Sequence, residues 1–325
     1  MIETTVAIGA LTLNGGKTLP AVEQRIAIYG DRSCGRTTLV LHALTSDHHV
    51  AQWWQGLIGK GKFLDPDEQC IIGINMLGSC YGSTQTTERI TIADIVRAQR
   101  IALRELGIEH LDLVIGGSMG GMQALQWAHD APDRVSEAII IGAHDHHSAM
   151  GIALNAVQRD AIALGGEQGL RLARKIAMLS YKSEVLLRER HDRRKDRTGA
   201  NRYDVEGFLE LQAERIIERI DPTTYTTLTH AMDSYDLRNA DWSSHRKPDV
   251  TFIALSSDWL FLPSDIHNAS NHLNSLGINT RYHELQTNHG HDAFLAEATT
   301  LNDLLARKNA PLLRRPFWPQ LTSRG

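Results

Sequence analysis

The chain has 325 residues, 42% of them hydrophobic and 22% charged, with a formal net charge of −4. That length suits one large domain or a core with an insertion, and no single-sign charge field invites nucleic acid or a membrane surface. The longest apolar runs are strand-sized, too short to cross a bilayer, and Met1–Thr5 lacks a signal-peptide layout. Cys34, Cys70 and Cys80 show no Cys-x-x-Cys spacing, which argues against a disulfide framework or zinc knuckle. A cytoplasmic location is therefore expected.

In chain order, residues 7 to 42 are expected to form short strands separated by turns. Gln24–Tyr29 alternates apolar and polar residues, and Thr38–His42 is a continuous apolar run suited to a buried central strand. Gly30–Thr37 between them nearly matches a phosphate-binding loop. It fails because Arg36 replaces the lysine and a strand follows where a helix N-terminus is needed. A second buried strand is expected at Gln69–Met76, leading into the glycine-rich stretch Leu77–Thr84. Thr91 with Asp94 resembles a capping box, Ile92, Ile95, Val96, Leu103 and Leu106 share one helical face, and Gly107 closes the helix.

The next strand, Asp112–Ile115, runs into Gly116-Gly117-Ser118-Met119-Gly120 and on into an amphipathic segment. Gly-x-Ser-x-Gly between a strand and a helix is the pattern of a nucleophile elbow. Val135–Ile141 supplies a further strand, after which strand signals cease until Asp249–Leu255. Residues 146 to 247 instead carry helical spacing at Leu170–Leu179, Phe208–Ile220 and Tyr225–Met232, with the charged run Arg188–Arg197 between them. A helical lid over residues 146–247 is expected to interrupt a core formed by 1–145 and 248–325. Beyond Asp249–Leu255, a helix over Pro263–Leu276 and a strand over Thr280–Leu285 complete the alternation. Alternating strands and helices imply a mostly parallel sheet covered on both faces.

Ser118, Asp258 and His291 each fall just past the C-terminal end of an expected strand. Their order is the nucleophile–acid–base order of the α/β-hydrolase fold, and that fold class is the expectation. A serine hydroxyl cannot attack an acyl group unaided at neutral pH. His291 would take its proton, and Asp258 would orient the imidazole. The backbone N–H groups of Met119 and of Leu44, in the loop His42–His49, would receive the oxyanion. Taken alone, Asp258 also reads as a helix cap, and His289 competes with His291. His144-Asp145-His146-His147 contains metal-binding residue types. It lacks the His-x-His-x-Asp-His pattern of metallohydrolases, and no metal is expected.

Taken together, several stretches resemble the homoserine O-acetyltransferase family of methionine biosynthesis. They are His42–Thr45, Trp53-Trp54 with Leu57-Ile58-Gly59, Asn75–Thr84, Gly116–Leu125, Ala231-Met232-Asp233 and Gly290–Leu295, and the similarity covers roughly residues 20 to 300. The resemblance implies that Ser118, Asp258 and His291 form the triad. It further implies that Arg174 binds the homoserine carboxylate and Asp292 its ammonium, a cation and an anion for a zwitterion. It also implies ping-pong transfer from acyl-CoA, acetyl-CoA or succinyl-CoA, as co-substrate with no permanently bound cofactor, and a homodimer joined through the lid helices.

The chain departs from that family in several places. Residues 85–89 are much shorter than the usual loop, the lid is trimmed near Leu164-Gly165-Gly166, Ser46 stands where glycine is usual, and Lys182 stands where arginine is frequent. Shorter loops bear on the shape of the acyl-donor tunnel. The alternatives are a succinyl-CoA-dependent or serine-specific relative, a serine esterase or thioesterase, and a non-catalytic protein on the same fold.

Overall fold

The structure, a computed structural model, describes residues 1–199 and 201–308. The stretch 309–325, assigned above to the core, lies outside the described residues.

The framework is an eight-stranded sheet in the order β1-β2-β4-β3-β5-β6-β7-β8. Its strands are β1 (Ile2–Thr12), β2 (Thr18–Tyr29), β3 (Thr37–Leu41), β4 (Cys70–Ile74), β5 (Leu111–Gly117), β6 (Val135–Ile141), β7 (Asp249–Leu255) and β8 (Thr280–Leu285). β1 and β2 form an antiparallel hairpin that joins β4 antiparallel, and every pairing from β4 through β8 is parallel. The N-terminal hairpin is longer and begins earlier than the short strands expected from residue 7. Its outer strand is largely exposed and its register shifts on either side of Gly9, so no clean alternation marks it.

The central strands are buried on both faces, and alternate residues feed two cores. Leu39, Leu41, Val114, Ile140 and Phe252 pack into one cluster; Val40, Leu113, Ile115, Ile139 and Ile253 pack into the other. Helices cover both. α1 (Val50–Trp53), α9 (Ala293–Ala296) and α10 (Ala298–Lys308) lie by the second cluster. There the buried Trp54 indole donates to the Phe294 carbonyl at 2.7 Å. α2 (Ile92–Glu105), α3 (Met119–Asp130) and α8 (Pro263–Ser275) pack on the first. α2 starts in the expected capping box. Thr91 Oγ1 accepts from the Asp94 N–H at 3.1 Å, and Asp94 Oδ2 accepts from the Thr91 N–H at 3.0 Å.

Between β6 and β7 lie α4 (Ala149–Tyr181), α5 (Glu184–Arg190), α6 (Asp204–Ile217) and α7 (Pro222–Asp233). α4 breaks at Gly166, whose φ of 54° and ψ of −119° leave the helical region. A Cβ added at Gly169 would lie 2.0 Å from the Ala161 carbonyl oxygen. Eight residues of straight helix span about 12 Å, so this approach requires the second half of α4 to fold back on the first. Leu164, at the tip, is 90% exposed. Among the described residues, no helix is long and apolar enough to cross a membrane.

Candidate active site

β5 ends in a turn so tight that side chains are excluded from it. A Cβ at Gly116 would stand 2.3 Å from the Gly120 carbonyl oxygen, and one at Gly120 would stand 2.2 Å from that of Leu41. Between these glycines Ser118 takes φ 58° and ψ −126°, a conformation that L-residues rarely adopt. Its N–H donates to the Ile141 carbonyl at 2.9 Å, and its carbonyl accepts the Gly121 and Met122 N–H groups at 2.8 and 3.1 Å. The strained backbone is thus held from both sides. Ser118 is the N-cap of α3, at the positive end of the helix dipole.

The loops after β7 and β8 meet this serine. His291 Nε2 lies 2.8 Å from Ser118 Oγ, and His291 Nδ1 lies 2.7 Å from Asp258 Oδ2. His291, and not His289, reaches the serine; His289 Nε2 sits 3.6 Å from Glu297 Oε1. The second oxygen of Asp258 accepts the N–H groups of Leu260 and Phe261 at 2.9 and 3.0 Å. Asp258 therefore does not cap α8, which begins at Pro263 without a side-chain cap; one of its oxygens braces the turn before that helix, while the other meets the histidine. Serine, histidine and aspartate are 8%, 2% and 3% exposed.

Burial pushes the His291 imidazolium down, but the charge of Asp258 and its hydrogen bond, with help from Asp292, outweigh burial and raise its pKa above the ordinary value. Rings enclose the imidazole. Phe261 stacks on it with centroids 5.0 Å apart at 22°, and Tyr181 and Phe294 stand at 5.7 and 5.8 Å.

Met119 is the first residue of α3, and Leu44 lines the same cavity as Ser118. The Leu44 loop is tied down just upstream. His42 Nε2 accepts the Met76 N–H at 3.1 Å, which leaves Nδ1 to donate to the Ala43 carbonyl at 2.9 Å. Burial holds the His42 pKa at about 4, so the ring is neutral and this tautomer persists. Gln123 on α3 donates to the His42 carbonyl at 3.2 Å, joining the loop to the helix below the serine.

The cavity over Ser118 is roofed by the lid segment: Tyr181, Asn155, Met232 and His147 line it with Leu44. These lid residues were not singled out from the sequence as site residues. The available signals were the Ala231-Met232-Asp233 match and the neighbourhood of the His144–His147 cluster, and neither spacing points at Ser118. Burial holds the His147 pKa at about 4. The neutral ring sits 3.2 Å from Asn155 Nδ2, which donates to Asp233 Oδ1 at 2.8 Å. Arg159 pairs with the other Asp233 oxygen at 2.6 Å, so no unpaired charge faces the cavity from this side.

Asp292 directly follows the histidine and pairs with Lys182 Nζ at 2.7 Å. Arg174 stands one layer back, its guanidinium carbon 5.7 Å from the centroid of Tyr181, with a buried Nε that has no hydrogen-bond partner. The end of α4 is fastened to the loops after β7 and β8, since Trp259 Nε1 donates to the Lys182 carbonyl at 3.1 Å and Ser183 Oγ donates to the Asn288 carbonyl. The shortened 85–89 stretch borders α7: Gln85 Nε2 donates to Asp221 at 2.8 Å, and Thr227 Oγ1 donates to the Thr86 carbonyl at 3.0 Å.

A parallel sheet carrying a serine elbow, with a histidine and an aspartate supplied from the next strand ends, defines an α/β-hydrolase-fold protein. A sequence profile described as "alpha/beta hydrolase fold" matches residues 38–298. The Deinococcus radiodurans protein named homoserine O-acetyltransferase is 38% identical, covering 90% of this chain and 87% of its own length. Among solved structures, the Staphylococcus aureus homoserine O-acetyltransferase is similar with a TM-score of 0.82 and 24% identity, covering 98% of this chain and 97% of its own. An acetylester hydrolase from Corynebacterium glutamicum is similar with a TM-score of 0.80 and 20% identity, over 94% of this chain and 95% of that one. The chain belongs to the homoserine O-acetyltransferase family, and so to a family of acyltransferase enzymes.

Proposed function

We propose that this chain moves an acetyl group from acetyl-CoA to the side-chain hydroxyl of L-homoserine through an acyl-enzyme on Ser118. The observation that carries the proposal is the continuous relay from Ser118 Oγ through His291 to Asp258, at 2.8 and 2.7 Å, beneath a helical roof. In the first half-reaction His291 Nε2 takes the Ser118 proton as Oγ attacks the thioester carbonyl. The oxyanion falls to the N–H groups of Met119 and Leu44, worth about 3–4 kcal/mol per donor in comparable sites. Collapse expels the CoA sulfur, which leaves with the proton from His291, and Ser118 keeps the acetyl group as an ester. In the second half-reaction His291 takes the proton of the homoserine hydroxyl, whose oxygen attacks that ester. Ser118 then leaves and recovers its proton from His291.

Homoserine must arrive with its α-ammonium and α-carboxylate satisfied. Asp292 supplies the anion, and the ammonium competes there with Lys182; the unpartnered Nε of Arg174 supplies a donor for the carboxylate. The product is an activated homoserine ester, and with it goes our reading of a role in methionine biosynthesis and a cytoplasmic location. Exclusion of water from the Ser118 ester falls to Tyr181, Met232 and their neighbours in the roof.

The test is release of free CoA from acetyl-CoA with and without homoserine, compared with succinyl-CoA and with serine. Homoserine is expected to accelerate release, and Ser118→Ala to lower the rate by about four orders of magnitude or more. Asp292→Asn is expected to raise KM for homoserine while sparing acylation. Release unchanged by Ser118→Ala would contradict the mechanism. Release independent of any amino acid would make the protein a thioesterase.

A further inference from the structure

We propose that His144, Asp145 and His146 bind a divalent transition-metal ion of the zinc class, which clasps the end of β6 to the exit of the lid. The sequence pattern set this cluster aside for want of a metallohydrolase motif, but the fold gives it a different geometry. One ligand atom from each of the three residues lies within 4.8 Å of the others. Asp145 Oδ1 is 2.8 Å from His146 Nδ1 and 3.7 Å from His144 Nδ1. Zinc–ligand bonds of about 2.0–2.1 Å make the edges of a tetrahedron about 3.3 Å, so the two edges through Asp145 need about half an ångström of movement and the edge between the two imidazoles closes from within 4.8 Å.

Two imidazoles and one carboxylate make a borderline donor set that suits zinc, cobalt or nickel better than calcium or magnesium. A second observation points to a ligand here. His144 is wholly buried, yet neither of its ring nitrogens is within hydrogen-bond reach of a partner, Asp145 Oδ1 standing 3.7 Å from Nδ1. Such an orphan is costly in a protein interior unless something else satisfies it, and a metal would. His146 is partly exposed, which provides an entry path and leaves the fourth position to water.

The surrounding charges permit a cation. Asp236, bridged to His146 in the backbone, holds Arg238 at 2.5 Å, so Arg238 does not occupy Asp145. The cluster also sits at a junction. The Leu237 N–H donates to the Asp145 carbonyl at 2.7 Å, and the His147 N–H donates to the Tyr235 carbonyl at 2.9 Å. A metal here would lock the segment leaving α7 onto the segment leaving β6. It would touch no reacting atom, since Phe261 stands between, 5.5 Å from His144 and 5.0 Å from His291. The other gathering of ligand types, Glu3, His48 and His49, is already an ion-pair network. Glu3 Oε1 is taken by Arg25 Nε and His48 Nε2, both at 2.8 Å.

The experiment uses the full chain stripped with EDTA and dialysed against Zn2+, with bound metal and melting temperature both measured. Wild type is expected to retain one ion per chain and to melt higher with zinc, as any ligand of the folded state requires. His146→Ala and Asp145→Asn are expected to lose about tenfold or more in affinity, at least what loss of an outer-shell partner costs. Glu3→Gln is expected to bind as wild type does. Cobalt absorption of the unmutated chain is an independent readout and is expected to show the intense bands of a four-coordinate ion. No stoichiometric retention, retention unaffected by His146→Ala, loss confined to Glu3→Gln, or only the weak bands of six-coordinate cobalt would each overturn the proposal.

Discussion

At the scale of single residues, the account turns on how one imidazole is poised. His291 works as a base only when neutral, and its raised pKa moves the acid limb of the pH profile upward. The rate of acylation is therefore expected to rise with pH, with an inflection above the ordinary histidine value. Asp258→Asn removes the main cause of the upward shift and favours the wrong tautomer. It is expected to lower the rate by about 10⁴-fold and to move the inflection down, as measured by a pH series of kcat/KM for the acyl donor. An inflection unmoved by that substitution would contradict the role given to Asp258. The stability linkage has the matching sign: protonated His291 favours the folded chain at low pH, and that contribution is lost as pH rises through the raised pKa. The meeting of Ser118, Asp258 and His291 was legible in the sequence because each lies within a few residues of a strand end, in the order serine, aspartate, histidine. His147, Asn155 and Tyr181 were not, because residues on either side of Gly166 converge on a cavity only after α4 doubles back there.

At the scale of elements, the local signals differ in strength for physical reasons. α2 could be read from its first residue, since Thr91 and Asp94 satisfy each other's N–H groups. Asp94 Oδ1 also accepts the Asn14 N–H at 2.8 Å, which ties the helix to the β1–β2 turn. Thr91→Ala is expected to cost about 1 kcal/mol and to lower the urea midpoint without changing its slope. A change below a few tenths would show that the neighbouring contacts, and not the cap, hold this end. β1 was harder to read. An edge strand that buries only Val6 and Leu11, on either side of irregular pairing at Gly9, carries no long apolar period. The central strands gave continuous apolar runs, and their ends fell within a residue or two of the expected positions.

At the scale of the whole molecule, the inserted helices convert a hydrolase framework into an enclosed site. The roof is fixed to the loops after β7 and β8 through Lys182 and Ser183, so its position and that of His291 are coupled. The same helices carry exposed apolar side chains. Val157, Leu164, Leu172 and Leu179 are 55%, 90%, 51% and 46% exposed. We propose that a second copy covers them. Sedimentation is expected to give a dimer that Leu164→Glu with Leu172→Glu weakens, and a monomer at all concentrations would exclude it.

The central claim is that Ser118 stores an acetyl group for an amino-acid hydroxyl. The most direct test is the intact mass of the protein after brief exposure to acetyl-CoA, then after addition of homoserine. The account predicts one added acetyl group on Ser118, persistent in buffer and discharged within the mixing time once homoserine is present. No adduct on Ser118, or an adduct that decays at the same rate with and without homoserine, would contradict it.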